Sequence, residues 1–345
     1  MNRNQILLGA AAIGAGAAAV SLFKKKDEET ALANQVVLIT GGSRGLGLAM
    51  AREFGAHDCR LAICARDTNE LEAARASMSD IGIEVFATRC DVTDREQVRD
   101  MIRSVRSHYG RIDILVNNAG IIRVAPVENM TIKDFEDAMS VMFWGVVYPT
   151  LEVLEEMKER RAGRIVTITS IGGKVSVPHL LPYCCAKFAA VGFCEGLQAE
   201  LQRSGVTVST VVPGLMRTGS HRKAQFKGRH QQEAAWFTLG ATLPITAMSA
   251  DLAARKIVDG VRRGDVEIIL STQAHVMSRL NGAFPGLVPQ LLGMVNRLLP
   301  RHTSDTESIV TGAQVTDQGG MLLRLLSLFG QHAARQYNEH FEPAR

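Results

Sequence analysis

Val36-Val37-Leu38-Ile39-Thr40-Gly41-Gly42-Ser43-Arg44-Gly45-Leu46-Gly47 decides how this chain folds. A short apolar run rich in β-branched residues, closed by glycines, marks a strand buried on both faces. Helix-forming residues take over at once, and Met50 to Phe54 continue a helical pattern. Glycines at 41, 45 and 47 allow a tight turn, and they let backbone come close to whatever lies above it. Such a turn aims the free N–H groups and positive dipole end of the new helix at one point, which is a site for phosphate. Alone, a glycine cluster is weak evidence; between a strand and a helix it is strong.

Reading outward, the same alternation repeats. Strand signals stand at Leu61–Cys64, Val85–Thr88, Ile114–Val116, Ile165–Ile168, Val206–Thr210 and Val266–Leu270, and Glu70 to Met78 is one of the helical stretches between. Strands alternating with helices predict βαβ units and a parallel sheet covered on both faces. The fold class is therefore α/β, a Rossmann-type three-layer αβα sandwich with a mainly parallel sheet. Residues 31–272 form this α/β domain, 1–30 an apolar segment with a basic flank, and 273–345 an extension of helical or apolar stretches and a polar tail.

Ile6 to Phe23 carry no charged residue, and Lys24-Lys25-Lys26 follow directly. That pattern is read as a single-pass N-terminal membrane helix with the lysines as an interfacial stop, placing the catalytic domain on the cytoplasmic side. A cleaved signal peptide and a buried or disordered Ala/Gly arm are the other readings. Past Ser271 the order loosens: Ala283 to Pro289 reads as irregular, Leu291–Leu299 and Met321–Phe329 as short amphipathic helices, and the tail from Gln331 as mobile. Those helices pack on the domain, on a partner subunit or on a membrane surface. A net charge of +4 over 345 residues, with no basic stripe interleaved with aromatics, argues against nucleic acid. The six cysteines form no C-x-x-C pair, so neither a disulfide framework nor a metal site is expected.

The chemistry rests on a few side chains. The second strand ends Cys64-Ala65-Arg66, and Arg44 lies in the glycine loop. Two guanidiniums there can hold a 2′-phosphate, which favours NADP(H) over NAD(H). Asp67 is the objection, unless it caps the following helix. Tyr183 and Lys187, spaced i, i+4, share a helix face. Ser170 ends the strand begun at Ile165, at the sheet edge where parallel sheets place reacting groups. A phenol titrates near 10, so a neighbouring ammonium and an oxidised nicotinamide are expected to lower it for proton exchange with a carbonyl oxygen.

Taken together these motifs resemble the short-chain dehydrogenase/reductase family, from about Gln35 to Thr272. The pieces are TGGSRGLG at 40–47, Asp91-Val92, Asn117-Asn118-Ala119-Gly120, Ser170, Tyr183-x-x-x-Lys187, and Pro213-Gly214 followed by Thr218. The resemblance implies one seven-stranded parallel sheet. It also implies a nucleotide cleft of Gly41, Ser43, Arg44, Gly45, Leu46, Gly47 and Arg66, with Asp91 and Val92 at the adenine. Asn118, Ala119 and Gly120 would line the cleft, and Thr218 would reach the carboxamide end. Ser170 would polarise the carbonyl, Tyr183 transfer the proton, and Lys187 hold the nicotinamide ribose.

One departure is Met142, where the family usually has an asparagine; a thioether cannot replace an amide's hydrogen bonds, although the backbone carbonyl remains. The segment Arg217–Leu239, with Phe226, Trp236 and Phe237, is expected to be a lid over a lipophilic substrate, or else to pack those aromatics on the domain. The resulting expectation is a membrane-tethered NADP(H)-dependent oxidoreductase, forming a homo-oligomer, that interconverts a lipophilic carbonyl and secondary alcohol. Its rival is a non-catalytic NADPH-binding sensor or scaffold.

Overall fold

A computed structural model describes residues 32–242, 247–305, 307–318 and 333–339. The apolar segment Ile6–Phe23 and the helix expected at Met321–Phe329 lie outside the described residues. The sheet has seven strands: β1 Val36–Thr40, β2 Arg60–Ala65, β3 Val85–Arg89, β4 Ile114–Asn117, β5 Gly163–Ile168, β6 Val206–Val212 and β7 Glu267–Ile269. Their spatial order is β7-β6-β5-β4-β1-β2-β3, and every pairing is parallel. The chain winds from β1 outward through β2 and β3, then restarts at β4 on the other side of β1. That reversal opens a crevice beyond the C-terminal ends of β1 and β4, where doubly wound sheets bind ligands.

The helices are α1 Gly45–Ala56, α2 Thr68–Ser79, α3 Arg95–Tyr109, α4 Ile132–Met139, α5 Gly145–Glu159, α6 Leu181–Glu200, α7 His230–Thr242, α8 Ala250–Arg263, α9 Thr272–Ala283, α10 Leu287–Asn296 and α11 Gly312–Gln318. Strand side chains alternate between faces, and β1 shows the consequence. Val37 and Ile39 join Leu48 and Phe54 of α1 and Ile257 and Val261 of α8 in one core. Val36 and Leu38 join Ile102 and Val105 of α3 and Val153 and Met157 of α5 in the other. A strand buried on both faces has no polar side to show, which is why its sequence reads as an unbroken apolar run.

The region after β6 departs from expectation. Phe226 and Phe237 are buried with Val124 and Val315 in a separate cluster, and Trp236 packs beside them. The aromatics of Arg217–Leu239 therefore pack on the domain. A small sheet of Arg123–Val124, Gln225–Phe226 and Val310–Thr311 holds this segment to the loop after β4. Burial of two phenylalanines outweighs any gain from presenting them to a transient ligand.

Two corrections concern the C-terminal extension. α9 is a regular helix where the sequence suggested loosened order, started by the Ser271 hydroxyl, which accepts from Ala274 N at 3.1 Å. α10 begins at Leu287, inside the stretch read as irregular, because Pro289 falls in its first turn and removes no helical hydrogen bond there. Among the described residues, no helix is long and apolar enough to cross a membrane. The six cysteines are free thiols.

Candidate active site

The glycine loop tolerates almost nothing. Gly41 has φ +63°, and a Cβ built on Gly47 would lie 2.1 Å from the Gly41 carbonyl oxygen. Asn118 locks the crevice from the β4 side: its amide donates to the carbonyls of Thr40 at 3.1 Å and Gly41 at 2.9 Å, and its N–H donates to the Thr40 hydroxyl at 3.0 Å. Ala119 N also donates to that hydroxyl, at 3.2 Å. Gly41 to Gly47 and Asn118 to Gly120 thus line one cleft. Leu46 is buried in the core beneath α1, so only its backbone can face a ligand.

Arg66 is largely exposed at the end of β2 and lies 4.0 Å from Asp91, which also accepts from the N–H and hydroxyl of Thr93. Val92 is buried, and its side chain sits where a Cβ on Gly145 would be. Asp67 caps α2, accepting from Asn69 N at 2.8 Å and Glu70 N at 3.0 Å. Its carboxylate is engaged in the cap, as the sequence allowed, and its charge still acts on Arg44. Arg44 itself is not waiting open: it pairs with Glu70 at 3.2 Å and with Glu339. Burial alone would lower its pKa, yet the Glu339 and Glu70 carboxylates outweigh that and raise it.

Ser170 stands just beyond β5, and its hydroxyl accepts from Gly172 N at 3.0 Å while facing the Tyr183 phenol closely enough to lower its pKa. Tyr183 lies in the first turn of α6, started by Pro182, and its ring packs so closely on Gly172 that a Cβ there would be 3.0 Å away. Lys187 is one turn further, with its ammonium 5.8 Å from the Tyr183 ring centre and donating to the Ile168 carbonyl at 2.7 Å. Pro213 and Gly214 leave β6 beside them: Ile171 N donates to the Pro213 carbonyl at 2.8 Å. Thr218 is buried, its hydroxyl accepting from Ser220 N at 3.2 Å. All these groups meet at the C-terminal edge of the sheet.

The electrostatics revise one expectation. Burial pushes the Tyr183 phenol up to about 12, against the lowering influence of Ser170, and burial pushes the Lys187 ammonium down to about 8. Without nucleotide the lysine therefore does not produce a phenolate; desolvation opposes both charged forms. A consequence is measurable. The free lysine value is about 10.4, so from about pH 8 to about 10.4 the unfolded chain binds more protons at this site than the native one, and the site's cost to stability fades as pH rises. Lys187→Met should raise the thermal midpoint of the nucleotide-free protein at pH 7. Its margin over the wild type should shrink as pH climbs through that window, as followed by circular dichroism melts.

Met142 is buried in a π-helical segment, Ser140–Trp144, and packs with Ala138, Ala186 and the Tyr183 ring. It fills the space an amide would need with apolar contact against the reacting phenol. Sequence reading passed over Glu70, Lys223 and the tail residues Asn338 and Glu339. Lys223 binds Glu70 at 3.0 Å, and Asn338 donates to the Ser43 carbonyl at 3.2 Å. No local motif announces these residues. The tail, read as mobile, is packed at 333–339, with Tyr337 and Glu339 buried.

Comparison with known proteins agrees with this geometry. The family described as short chain dehydrogenase matches residues 35–227. A 3-oxoacyl-acyl-carrier-protein reductase of Synechocystis is 34% identical over 55% of this chain and 77% of its own. Human 17-beta-hydroxysteroid dehydrogenase 13 is 27% identical, covering 77% of this chain and 85% of its own. Among solved structures, a variant actinorhodin polyketide ketoreductase with NADPH superposes with TM-score 0.61 at 31% identity, over 68% of this chain and 94% of that one. The chain belongs to the short-chain dehydrogenase family and is an oxidoreductase acting between CH–OH and C=O.

Proposed function

We propose that the protein is an NADP(H)-dependent oxidoreductase that interconverts a lipophilic carbonyl compound and its secondary alcohol at a membrane. The observation that carries the catalytic part is Tyr183, joined to Ser170 and backed by Lys187, at the same sheet edge as the glycine loop. A nicotinamide nucleotide bound along that edge would supply or accept the hydride. Asn118, Thr218 and the Gly41–Gly47 backbone would hold it, with Arg44 and Arg66 toward the 2′-phosphate. Tyr183 gives its proton to the nascent alkoxide or takes it back, and Ser170 donates to the same oxygen. With the phenol protonated across the neutral range, the groundwork favours carbonyl reduction. Similarity to a 3-oxoacyl reductase, to a hydroxysteroid dehydrogenase and to a ketoreductase crystallised with NADPH supports this reading. Titration of the full-length protein with NADPH and with NADH, read by nicotinamide fluorescence, followed by turnover on a panel of lipophilic ketones, tests it. Tighter NADPH binding with turnover is expected. Binding without turnover across the panel would favour the sensor reading, and no binding of either nucleotide would end the proposal.

The membrane part draws on a surface beside that edge. Phe284, Leu287, Leu291, Met294, Val295 and Leu298 are all exposed on α10 and its flanks. From Thr272 to Ser304 there is no acidic residue, while Arg279, Arg297 and Arg301 lie among the apolar ones. A like-charged copy would be repelled from such a face; an anionic bilayer is attracted by it. The expected span at Ile6–Phe23 is part of the same proposal, with the catalytic domain on the cytoplasmic side. Self-association is assigned to a different surface, where Trp144, Leu151 and Phe188 are exposed. Backbone hydrogen exchange over 284–298 should slow when the full-length chain is moved from detergent into vesicles containing phosphatidylglycerol, and Leu291→Glu should abolish the slowing. Unchanged exchange in vesicles would assign the face to another partner.

A further inference from the structure

The glycine loop already holds an anion, and the anion belongs to the chain itself. Residues 333–339 form a single turn, closed by Tyr337 N to Ala333 O at 3.0 Å and Glu339 N to Ala334 O at 2.8 Å, and laid directly on the loop. Gly45 N donates to the Tyr337 carbonyl at 2.8 Å, and the Asn338 amide donates to the Ser43 carbonyl at 3.2 Å. The Glu339 carboxylate pairs with Arg44 and comes so near the loop that a Cβ on Gly45 would stand 2.8 Å from its oxygen. Tyr337 anchors the turn: its hydroxyl donates to Asp251 at 2.6 Å, and the Arg52 guanidinium lies 5.8 Å from its ring centre. Ala334 fits against Gly219, where a Cβ would approach within 2.6 Å of its Cα.

Two of these contacts, at Gly45 N and at Arg44, use groups that a dinucleotide phosphate would use. A backbone N–H at the start of α1 is the usual anion donor of such a loop, and it is taken. Arg44, the guanidinium nearest that point, carries two carboxylates, Glu70 and Glu339. Glu70 in turn binds Lys223, so Arg44 already stands among carboxylates before any ligand arrives. A phosphate entering that arrangement would bring excess negative charge into a buried place. Glu339, held only by a seven-residue turn, is the acid that can leave; Glu70 is fixed on α2 beneath the Asp67 cap.

We propose that residues 333–339 are a strap over the nucleotide site and that Glu339 competes with the cofactor 2′-phosphate for Arg44, so that it sets both affinity and the choice between NADPH and NADH. The proposal rests on the reading of Gly41–Gly47 as the nucleotide loop. Either nucleotide needs the strap off Gly45 N for its pyrophosphate, but only NADPH, through its 2′-phosphate, must also take Arg44 from Glu339. The C-terminal extension thereby becomes part of the cofactor site rather than an appendage to it.

The test is fluorescence titration of the full-length wild type and of Glu339→Gln with NADPH and with NADH. Glutamine keeps the size and one hydrogen bond to Arg44 while removing the charge, so the strap can stay folded. NADPH should bind about tenfold tighter to the variant, as expected for relief of one charge-assisted pair, with NADH changed by less than about threefold. Hydrogen exchange over 333–339 in the wild type should quicken when NADPH is added. Equal NADPH affinities in the two proteins, or slower exchange over the strap on binding, would overturn the competition and leave the oxidoreductase reading standing. Binding by the variant alone would be its strongest support. Absence of binding in both proteins would end the nucleotide reading and the strap with it.

Discussion

Tyr183→Phe should lower kcat for carbonyl reduction by about 100- to 10,000-fold, the usual worth of a positioned general acid, while the affinity for NADPH stays within about twofold of wild type. The asymmetry follows from where the hydroxyl points. It faces Ser170, and among the described residues it makes no hydrogen bond to the glycine loop, so removing it takes away an interaction with the reacting oxygen and leaves the nucleotide contacts alone. The ring stays seated on Gly172 and against Met142, so the fold should keep its midpoint. Direction matters as well. Burial holds the phenol near 12, so the acid needed for reduction is already in its protonated form at neutral pH, and reduction should be nearly flat from pH 6 to pH 8. Alcohol oxidation needs the phenolate and should climb with pH, because desolvation holds the phenol up despite the lowering influence of Ser170. Single-turnover rates of wild type and variant, measured in both directions across that range, check the whole statement. A phenylalanine variant that retains wild-type turnover would remove Tyr183 from the chemistry.

The parts of this protein that could be read in its sequence are those whose physics is local. Strand β1 is apolar on both faces because it is covered on both, and the glycines beside it are there because the backbones of Gly41 and Gly47 converge with the Asn118 side-chain amide. Ser170, Tyr183 and Lys187 are brought together by one strand end and one helix turn, and spacing alone anticipates that. What spacing could not show were partners set by distant packing. Glu339 meets Arg44 across 295 positions of chain, and no periodicity links them. Phe226 and Phe237 could serve a ligand or a core equally well in sequence, and only the small sheet around Val124 decides for the core. How strongly desolvation weighs on the tyrosine in the nucleotide-free protein was out of reach for a related reason. The spacing fixes that Tyr183 and Lys187 are neighbours, but how dry their surroundings are depends on the whole of α6 lying against the sheet.

Gly47→Ala should be the most damaging single-methyl change in the nucleotide cleft. The added carbon would lie 2.1 Å from the Gly41 carbonyl oxygen and 2.6 Å from the Asn118 amide nitrogen. Neither neighbour is a free side-chain end: the carbonyl is backbone at the tip of β1, and the amide is fixed by bonds to Thr40 and Gly41. Relief therefore requires α1 to move away from the loop or Asn118 to release it. Overpacking of this kind costs about 1–3 kcal/mol of stability. A shifted α1 also misaims the N–H groups meant for phosphate, and losing one charge-assisted bond, about 1.5–3 kcal/mol, weakens nucleotide binding about 10- to 100-fold. Gly192→Ala on the exposed face of α6 supplies the contrast, since nothing lies within 4 Å of its built carbon. There alanine should stabilise by up to about 1 kcal/mol through helix propensity and leave the nucleotide affinity unchanged. Urea denaturation and NADPH titration of both variants separate the two effects. If Gly47→Ala bound NADPH as tightly as Gly192→Ala does, the close approach of α1 to β1 would be packing alone, and the phosphates would have to be held elsewhere than at the start of α1.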